Sequence, residues 1–247
     1  MRSGHSHVAL AHAASARQSV WMAAGDFSTD GWAKTWADVL ARADGKIAPV
    51  PNSRAGALRA AALTAEAFRD DPFNAWVFGG VPAMQSVFGH LARAVYAPAG
   101  YSYRLGDMGA CMWLPPGVPS TTSAFRSARI AASLLRRAGP RALSRALAAD
   151  SALSARKPAQ PHAYLFTIGL VESARGKGHG STLIGPVLEM CDRRAWPVYL
   201  ESSNPDNHGY YAAKGFRTTE IFTVRDSPPV EGMIREPRPP ISRASGS

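Results

Sequence analysis

Hydrophobic positions recur along this chain with two periods, one typical of helices and one typical of strands. Between residues 81 and 96, Met84, Val87 and Leu91 share one helical face and predict a helix. Residues 101–105 and 110–114 are short apolar runs stopped by Pro115, and they predict neighbouring strands. The same patterns predict strands at 47–50, 163–171, 198–201, 216–224 and 230–235, and helices at 54–69, 178–194 and 207–214.

This order of elements predicts one main domain at residues 47–237, preceded by an extension at 1–46 and followed by a tail at 238–247. The extension and the tail are expected to be disordered except for one docked helix that Gly45 ends. The apolar face of that helix would consist of Trp32, Trp36, Val39 and Leu40. Within the main domain, Asn52 or Ser53 is expected to cap the first helix, and Asp71-Pro72 is expected to break the chain after it.

A cluster of basic residues lies between residues 121 and 160. The chain of 247 residues has a formal net charge of +10, and this segment holds eight basic residues against one acidic residue, a local charge of +7. The break at Gly139-Pro140 predicts an inserted pair of short amphipathic helices. Their apolar side is predicted to consist of Phe125, Ile130, Leu134 and Leu135. The arginines form either a solvated face or a surface for an anionic partner, of which nucleic acid is disfavoured and a membrane is not expected.

Cysteine and histidine usage predicts neither a disulfide framework nor a metal centre. Cys111 and Cys191 are far apart in apolar surroundings, without CxxC spacing. Metal binding by His5, His7 and His12 is disfavoured, so no metal is expected. Because the chain lacks a span of about 20 apolar residues and an apolar signal core, we expect a reduced, cytoplasmic setting.

The segment RGKGHG at residues 175–180 lies between a predicted strand and a predicted helix. Glycines allow the positive φ angles of a tight bend, and the free amides of a helix N-terminus bind phosphate groups. A Walker P-loop is excluded because Gly180 is followed by Ser181 and Thr182. A dinucleotide fold is disfavoured because the glycines follow GxGxG and little chain remains, although Glu201 ends the next strand about 20 residues later. The third candidate ligand is an acyl-coenzyme A, whose pyrophosphate would lie on the bend.

Two motifs in order along the chain resemble those of the GNAT superfamily of N-acyltransferases. Arg175-x-x-Gly178-x-Gly180 is similar to its motif A, and LESSNPDNHGYYAAKGF at residues 200–216 is similar to its motif B. The segments at 67–78, 111–117, 165–192 and 199–204 further resemble the branch that contains puromycin N-acetyltransferase and its actinobacterial-type relatives. Departures are Glu172, where those relatives carry proline, and the basic stretch before Pro161.

The resemblance implies an α/β (α+β) GNAT fold. Its central sheet would be mixed, mostly antiparallel and twisted, with about six or seven strands flanked by helices, plus the N-terminal helix and the basic insertion. Acetyl-CoA would be the co-substrate, held by the bend and by two strands that splay apart. The cofactor-binding residues would be Ile168, Leu170, Arg175, Gly176, Lys177, Gly178, His179, Gly180, Ser181 and Asn207, although Asn207 could instead be a plain helix cap.

Transfer to an amine also requires a base for the amine proton and an acid for the departing sulfur. Glu201 is the candidate base, with Asp70, Asp71 and His162 as weaker candidates; alternatively, Glu201 only hydrogen-bonds to the turn at 202–204. Tyr211 occupies the position of the superfamily's general acid. The alternative is a core Tyr211 with Tyr210 facing outward.

Phe73, Trp76 and Trp113 are candidate acceptor-binding residues, with ordinary core roles as the alternative, which is favoured for Phe78. The expected activity is acetyl transfer to the primary amine of a small molecule, for example an antibiotic-like one, by direct attack in a ternary complex. Two alternatives stay open: a protein-lysine acetyltransferase, and a non-catalytic binder of nucleic acid or an anionic surface. The chain is expected to be a monomer or a homodimer.

Overall fold

A seven-stranded sheet forms the centre of the molecule, whose computed structural model describes residues 37–43, 45–99 and 102–238. The spatial order of its strands is β1-β2-β3-β4-β5-β7-β6. The strands are β1 (Ala48–Pro49), β2 (Tyr103–Leu105), β3 (Gly109–Leu114), β4 (Ala163–Leu170), β5 (Val198–Ser202), β6 (Arg217–Phe222) and β7 (Val230–Arg235). Only β4 and β5 pair in parallel. The predicted mixed, mostly antiparallel sheet is therefore confirmed.

Six helices between residues 54 and 213 flank this sheet. They are α1 (Arg54–Ala67), α2 (Pro72–Phe78), α3 (Val81–Leu91), α4 (Ala124–Ser154), α5 (His179–Arg193) and α6 (His208–Ala213). Helix α3 continues into a π-helical turn at Ala92–Tyr96, and short 3₁₀ turns precede α5 and α6. Of the two predicted caps of α1, Ser53 is the one used, since its hydroxyl accepts a hydrogen bond from the Gly56 amide at 3.1 Å.

Helix α2 is absent from the sequence-based prediction, which treated Asp71-Pro72 only as a chain break. The break is real, but a new helix starts at once. Asp71 is its N-cap, accepting from the Asn74 amide at 2.8 Å, and Pro72 occupies the first turn, where a missing N–H costs nothing. The break therefore brings Asp71 to a fixed position between α1 and α2.

The two faces of the sheet have separate hydrophobic cores. On one face, which we call the α5 face, Leu183, Ile184 and Leu200 are buried with other residues of β3, β4 and β5. On the opposite face, the α4 face, helices α1 to α4 cover Met112, Tyr164 and other residues of the central strands. Alternating side chains of β5 go to the two faces, so Tyr199 lies on the α4 face and Leu200 on the α5 face.

The basic segment folds as predicted into two helical halves, but its buried side differs from the prediction. Gly139 interrupts α4 with a φ of 82°. Leu134 is 2% exposed, whereas Phe125 is 70% exposed and Leu135 is 46% exposed. Leu134 lies at the centre of the face that packs on the core, and Leu135, about 100° further around the helix, lies beyond the edge of that face.

Residues 37–42 are helical and contact the α5 face. Val39 and Ala43 are buried there, and Arg42 forms an ion pair with Glu189 at 3.2 Å. Trp32, Trp36 and the predicted histidines of the extension, His5, His7 and His12, lie outside the described residues. Within the described ranges, no helix is both long enough and apolar enough to cross a membrane.

Candidate functional site

Strands β4 and β5 separate halfway along their length. Their parallel register starts at Ala163–Val198 and ends at Leu165–Leu200, although β4 continues to Leu170. The register of β4 against β3 shifts at the same point, because Trp113 pairs with Leu165 but Met112 pairs with Thr167. Phe166 is therefore the extra residue of a bulge, which bends β4 away from β5. The result is an open gap bordered by the backbone of residues 166–170, which include the predicted Ile168 and Leu170.

The glycine bend lies beyond the wide end of this gap. Gly176 and Gly178 have φ angles of 73° and 80°, which side chains disfavour, and α5 begins at His179. No side chain caps this helix, so its first amides remain available to an anion. The first turn includes the predicted Gly180 and Ser181. These features fit the diphosphate of coenzyme A.

Basic side chains near the bend have two different roles. Arg175 bonds backbone carbonyls, donating to Ala67 at 2.8 Å and to Leu170 at 3.3 Å, and so fixes the bend against α1 and β4. Lys177 donates to the Ser173 carbonyl at 2.8 Å. Lys214 donates to the Ser181 hydroxyl at 2.7 Å and adds a positive charge that the sequence did not single out.

The carboxylate of Glu201 lies on the α4 face beside the point where the strands separate. Its Oε2 atom accepts a hydrogen bond from the Tyr164 hydroxyl at 2.8 Å. Its Oε1 atom is buried without a hydrogen-bond partner among the described residues. Burial raises the pKa of Glu201 from 4.5 to about 7, although Lys157, Tyr164 and Tyr199 act in the opposite direction. A carboxylate of this kind can take up a proton at neutral pH.

The alternative role of Glu201, bonding only to the following turn, does not match these contacts. That turn is held by Ser202, whose hydroxyl donates to the Asn204 carbonyl at 3.2 Å, and by Asn204, which accepts from the Asp206 amide at 3.0 Å. The Glu201 side chain instead points to Tyr164. Its position is thus independent of the turn.

The weaker candidate bases lie in less suitable places. Asp70 is exposed. Asp71 is buried, and both of its carboxylate oxygens already accept hydrogen bonds: one caps α2, and the other accepts from the Ser203 hydroxyl at 2.6 Å. The His162 ring bonds the Gln160 carbonyl through Nδ1 at 2.8 Å, and burial lowers the pKa of this histidine.

Tyr210 and Tyr211 both contact the α5 face, in different environments. Tyr211 is 7% exposed and packs on Phe216, and burial raises the pKa of its phenol. Tyr210 lies against the start of α5, so that a Cβ at Gly180 would be 3.1 Å from its hydroxyl. Asn207 precedes α6 without making a side-chain cap, which leaves its exposed amide available to a ligand.

The three predicted acceptor-binding residues do not come together. Phe73 and Trp76 stack in α2 with ring centroids 5.8 Å apart, on the α4 face. Trp113 is 1% exposed and belongs to the core of the α5 face, so the structure gives it a core position away from Glu201. Two neighbours of Glu201, Tyr164 and Lys157, were not predicted. In the sequence, Tyr164 is only one of the alternating residues of β4, and Lys157 is only one of several charges in a basic segment, so neither residue stands out.

Comparisons with known proteins indicate one family. The family model described as Acetyltransferase (GNAT) family matches residues 124–216. An uncharacterised N-acetyltransferase of Schizosaccharomyces pombe is 30% identical over 201 residues, which are 72% of this chain and 79% of the relative.

Two solved structures resemble the fold. One is a structure titled histone acetyltransferase HPA2 and related acetyltransferase, from Corynebacterium glutamicum. It has a TM-score of 0.58 and 23% identity over 79% of this chain and 98% of that one. The other is arylalkylamine N-acetyltransferase 2 of Aedes aegypti, with a TM-score of 0.51 and 12% identity over 78% of this chain and 98% of that one. Because the Schizosaccharomyces pombe relative is 30% identical over 72% of this chain, the chain belongs to the GNAT acetyltransferases and is an acetyl-CoA-dependent acyltransferase.

Proposed function

We propose that this protein transfers an acetyl group from acetyl-CoA to the primary amine of a small molecule, by direct attack in a ternary complex. One observation carries the proposal: the carboxylate of Glu201, whose Oε1 atom is buried without a partner, lies on the α4 face at the point where β4 and β5 separate. Acetyl-CoA supplies an activated thioester when bound. The site thus combines an anion-binding bend, an open strand gap and a base.

Binding of the co-substrate falls to the bend and the gap. The amides of the first turn of α5 bind the diphosphate, and Arg175 holds the bend in place for it. The backbone groups of residues 166–170 that face the gap hold the pantetheine arm, and an amide at the bulge stabilises the oxyanion. Asn207 contacts the arm through its free side chain.

Glu201 and Tyr211 move the protons. An amine is mostly protonated at neutral pH, so Glu201 accepts its proton directly or through water. Tyr211 donates a proton to the sulfur, and its raised pKa keeps the phenol protonated until that step. The two groups lie on opposite faces of the sheet, with the strand gap between them.

Enclosure of Glu201 favours a small acceptor over a protein. Tyr164, Tyr199 and Tyr96 belong to one buried cluster around it, and Lys157 contacts the Tyr164 ring from the end of α4. The stacked pair Phe73 and Trp76 borders this face. Resemblance to the puromycin N-acetyltransferase branch supports an antibiotic-like amine. We assign catalysis to residues 47–237, with 1–46 and 238–247 as appendages and 121–160 as an insertion.

The exposed arginines of α4 favour a second candidate, a protein-lysine acetyltransferase. Arg126, Arg129, Arg136 and Arg137 are exposed on its first half, and Arg129 and Arg137 act electrostatically on His90 of α3. Such a surface suits an acidic protein partner.

Release of free thiol from acetyl-CoA tests both candidates. A panel of small amines is compared with lysine-containing acidic peptides, and Glu201→Gln is measured beside the wild type. We expect turnover with small amines and a loss of about 100-fold or more in Glu201→Gln. Turnover confined to peptides would favour the protein acceptor, and failure of acetyl-CoA to bind in calorimetry would refute both.

A further inference from the structure

A cavity of about 330 Å³ opens next to Tyr164, the tyrosine that is hydrogen-bonded to Glu201. It lies between the loop after β3 and the segment that joins α4 to β4. Its walls include Pro115, Pro119, Pro158 and Pro161 together with Val118 and the Tyr164 ring. Prolines lose little conformational entropy on ordering, so these walls form a preformed apolar pocket.

The ammonium group of Lys157 is the main charge on this cavity. It donates to the Ser120 hydroxyl at 3.1 Å and lies 3.7 Å from the centre of the Tyr164 ring. Ser120 and Tyr164 both line the cavity, so the ammonium lies at its wall. Among the described residues, Lys157 forms no ion pair with a carboxylate.

An ammonium in such a position lacks an opposite charge in direct contact. Burial lowers the pKa of Lys157, while the more distant charges of Glu201 and Asp150 oppose this effect. His162, also in the wall, has a lowered pKa and adds no fixed charge at neutral pH. An anion within the cavity would supply the missing partner.

Tyr164 links this cavity to the reaction centre. One side of its ring faces Lys157, and its hydroxyl donates to Glu201 at 2.8 Å. Lys157 and Glu201 therefore contact the same tyrosine, so an anion held at Lys157 lies about one tyrosine ring away from the base.

We infer that the cavity binds the non-reacting end of the acceptor, which is a primary amine whose short apolar skeleton carries a carboxylate. Lys157 is the specificity-determining residue, because it pairs with that carboxylate. The inference rests on the proposed acetyl transfer for the identity of the reacting end, and on the cavity alone for the anionic end.

Binding and turnover measured separately test this subsite. The binding probe is 4-methylbenzoate, which has the carboxylate and lacks an amine, titrated by calorimetry into the wild type, Lys157→Met and Arg141→Met. Arg141 is exposed on α4 and controls for the loss of one positive charge. A charged hydrogen bond contributes about 1.5–3 kcal/mol, so we expect Lys157→Met to weaken binding about 10- to 100-fold and Arg141→Met to leave it unchanged. Absent binding, or equal binding by the wild type and Lys157→Met, would overturn the inference.

Turnover then compares 4-(aminomethyl)benzoate with its uncharged methyl ester. The wild type should have a kcat/KM at least about 10-fold higher for the carboxylate, and Lys157→Met should remove this preference. Turnover of both amines without preference would refute the subsite and leave acetyl transfer standing. Conversely, Lys157-dependent binding of 4-methylbenzoate without any turnover would support the anion site and count against the proposed function.

Discussion

Buried charged side chains on the two faces of the sheet differ in how completely they are hydrogen-bonded. On the α5 side, Arg235 is 3% exposed in its side chain and donates to both carboxylate oxygens of Asp192 at 2.7 Å, and it also donates to the Lys214 carbonyl at 2.9 Å. On the α4 face, Glu201 has one bonded oxygen and one buried oxygen without a partner, and Lys157 has no carboxylate partner in the described chain.

This difference separates charged side chains that stabilise the fold from charged side chains that can exchange a proton with a ligand. A charge with all its hydrogen bonds made is held in one position, so it serves stability. A buried carboxylate with a free oxygen has a raised pKa and can accept a proton from a ligand. The four predictions below test this division.

The largest effect should come from Tyr211, which lies on the α5 face. If it is the acid, Tyr211→Phe keeps the packing on Phe216 and lowers kcat about 100-fold or more, because the thiolate leaves without a proton. Tyr210→Phe is the matched control and should keep most of the activity. Full turnover by Tyr211→Phe, measured by thiol release, would return this residue to a structural role.

The ion pair of the α5 side should matter for stability. Asp192→Ala leaves a buried guanidinium without its carboxylate, so we expect urea unfolding at pH 7 to show a loss of about 3–5 kcal/mol. Glu189→Ala removes the carboxylate of two exposed ion pairs and should cost less than about 1 kcal/mol. Equal costs for the two variants would contradict the contrast between the faces.

Removing the charge of Glu201 should raise stability at high pH, whereas removing the charge of Asp192 should lower stability. Its pKa rises from 4.5 to about 7 on folding, so the folded state holds the proton more tightly, and stability falls as pH rises from 4.5 through 7. Glu201→Gln mimics the protonated form. Its stability relative to the wild type should therefore be about 3 kcal/mol more favourable at pH 8 than at pH 4.5, by urea unfolding at both pH values. A pH-independent difference would show that the carboxyl titrates normally.

The smallest effect should come from Lys157. Its charge lowers the pKa of Glu201, so Lys157→Met should move the pH midpoint of kcat upward by about half a unit to one unit. Arg141→Met should not move it. A downward shift would mean that Lys157 does not act on Glu201 as an opposite charge.

Sequence patterns predicted the sheet, the bend and the order of elements because these depend on residues close together in the chain. The glycines at 176 and 178 determine their own φ angles, and the apolar period of α5 is local. The surroundings of Glu201 depend on distant residues, since Tyr164 comes 37 positions earlier. The local pattern also could not decide whether Leu134 or Leu135 is buried, because that depends on how α4 contacts α2 and α3.

The pH dependence of kcat at saturating acetyl-CoA and amine measures the proton acceptor of the ternary complex directly. For the wild type, kcat should rise with pH and level off above a midpoint of about 7. For Glu201→Gln, kcat should be about 100-fold lower and should no longer show this midpoint. If Glu201→Gln retained both the rate and the midpoint, Glu201 would not be the base.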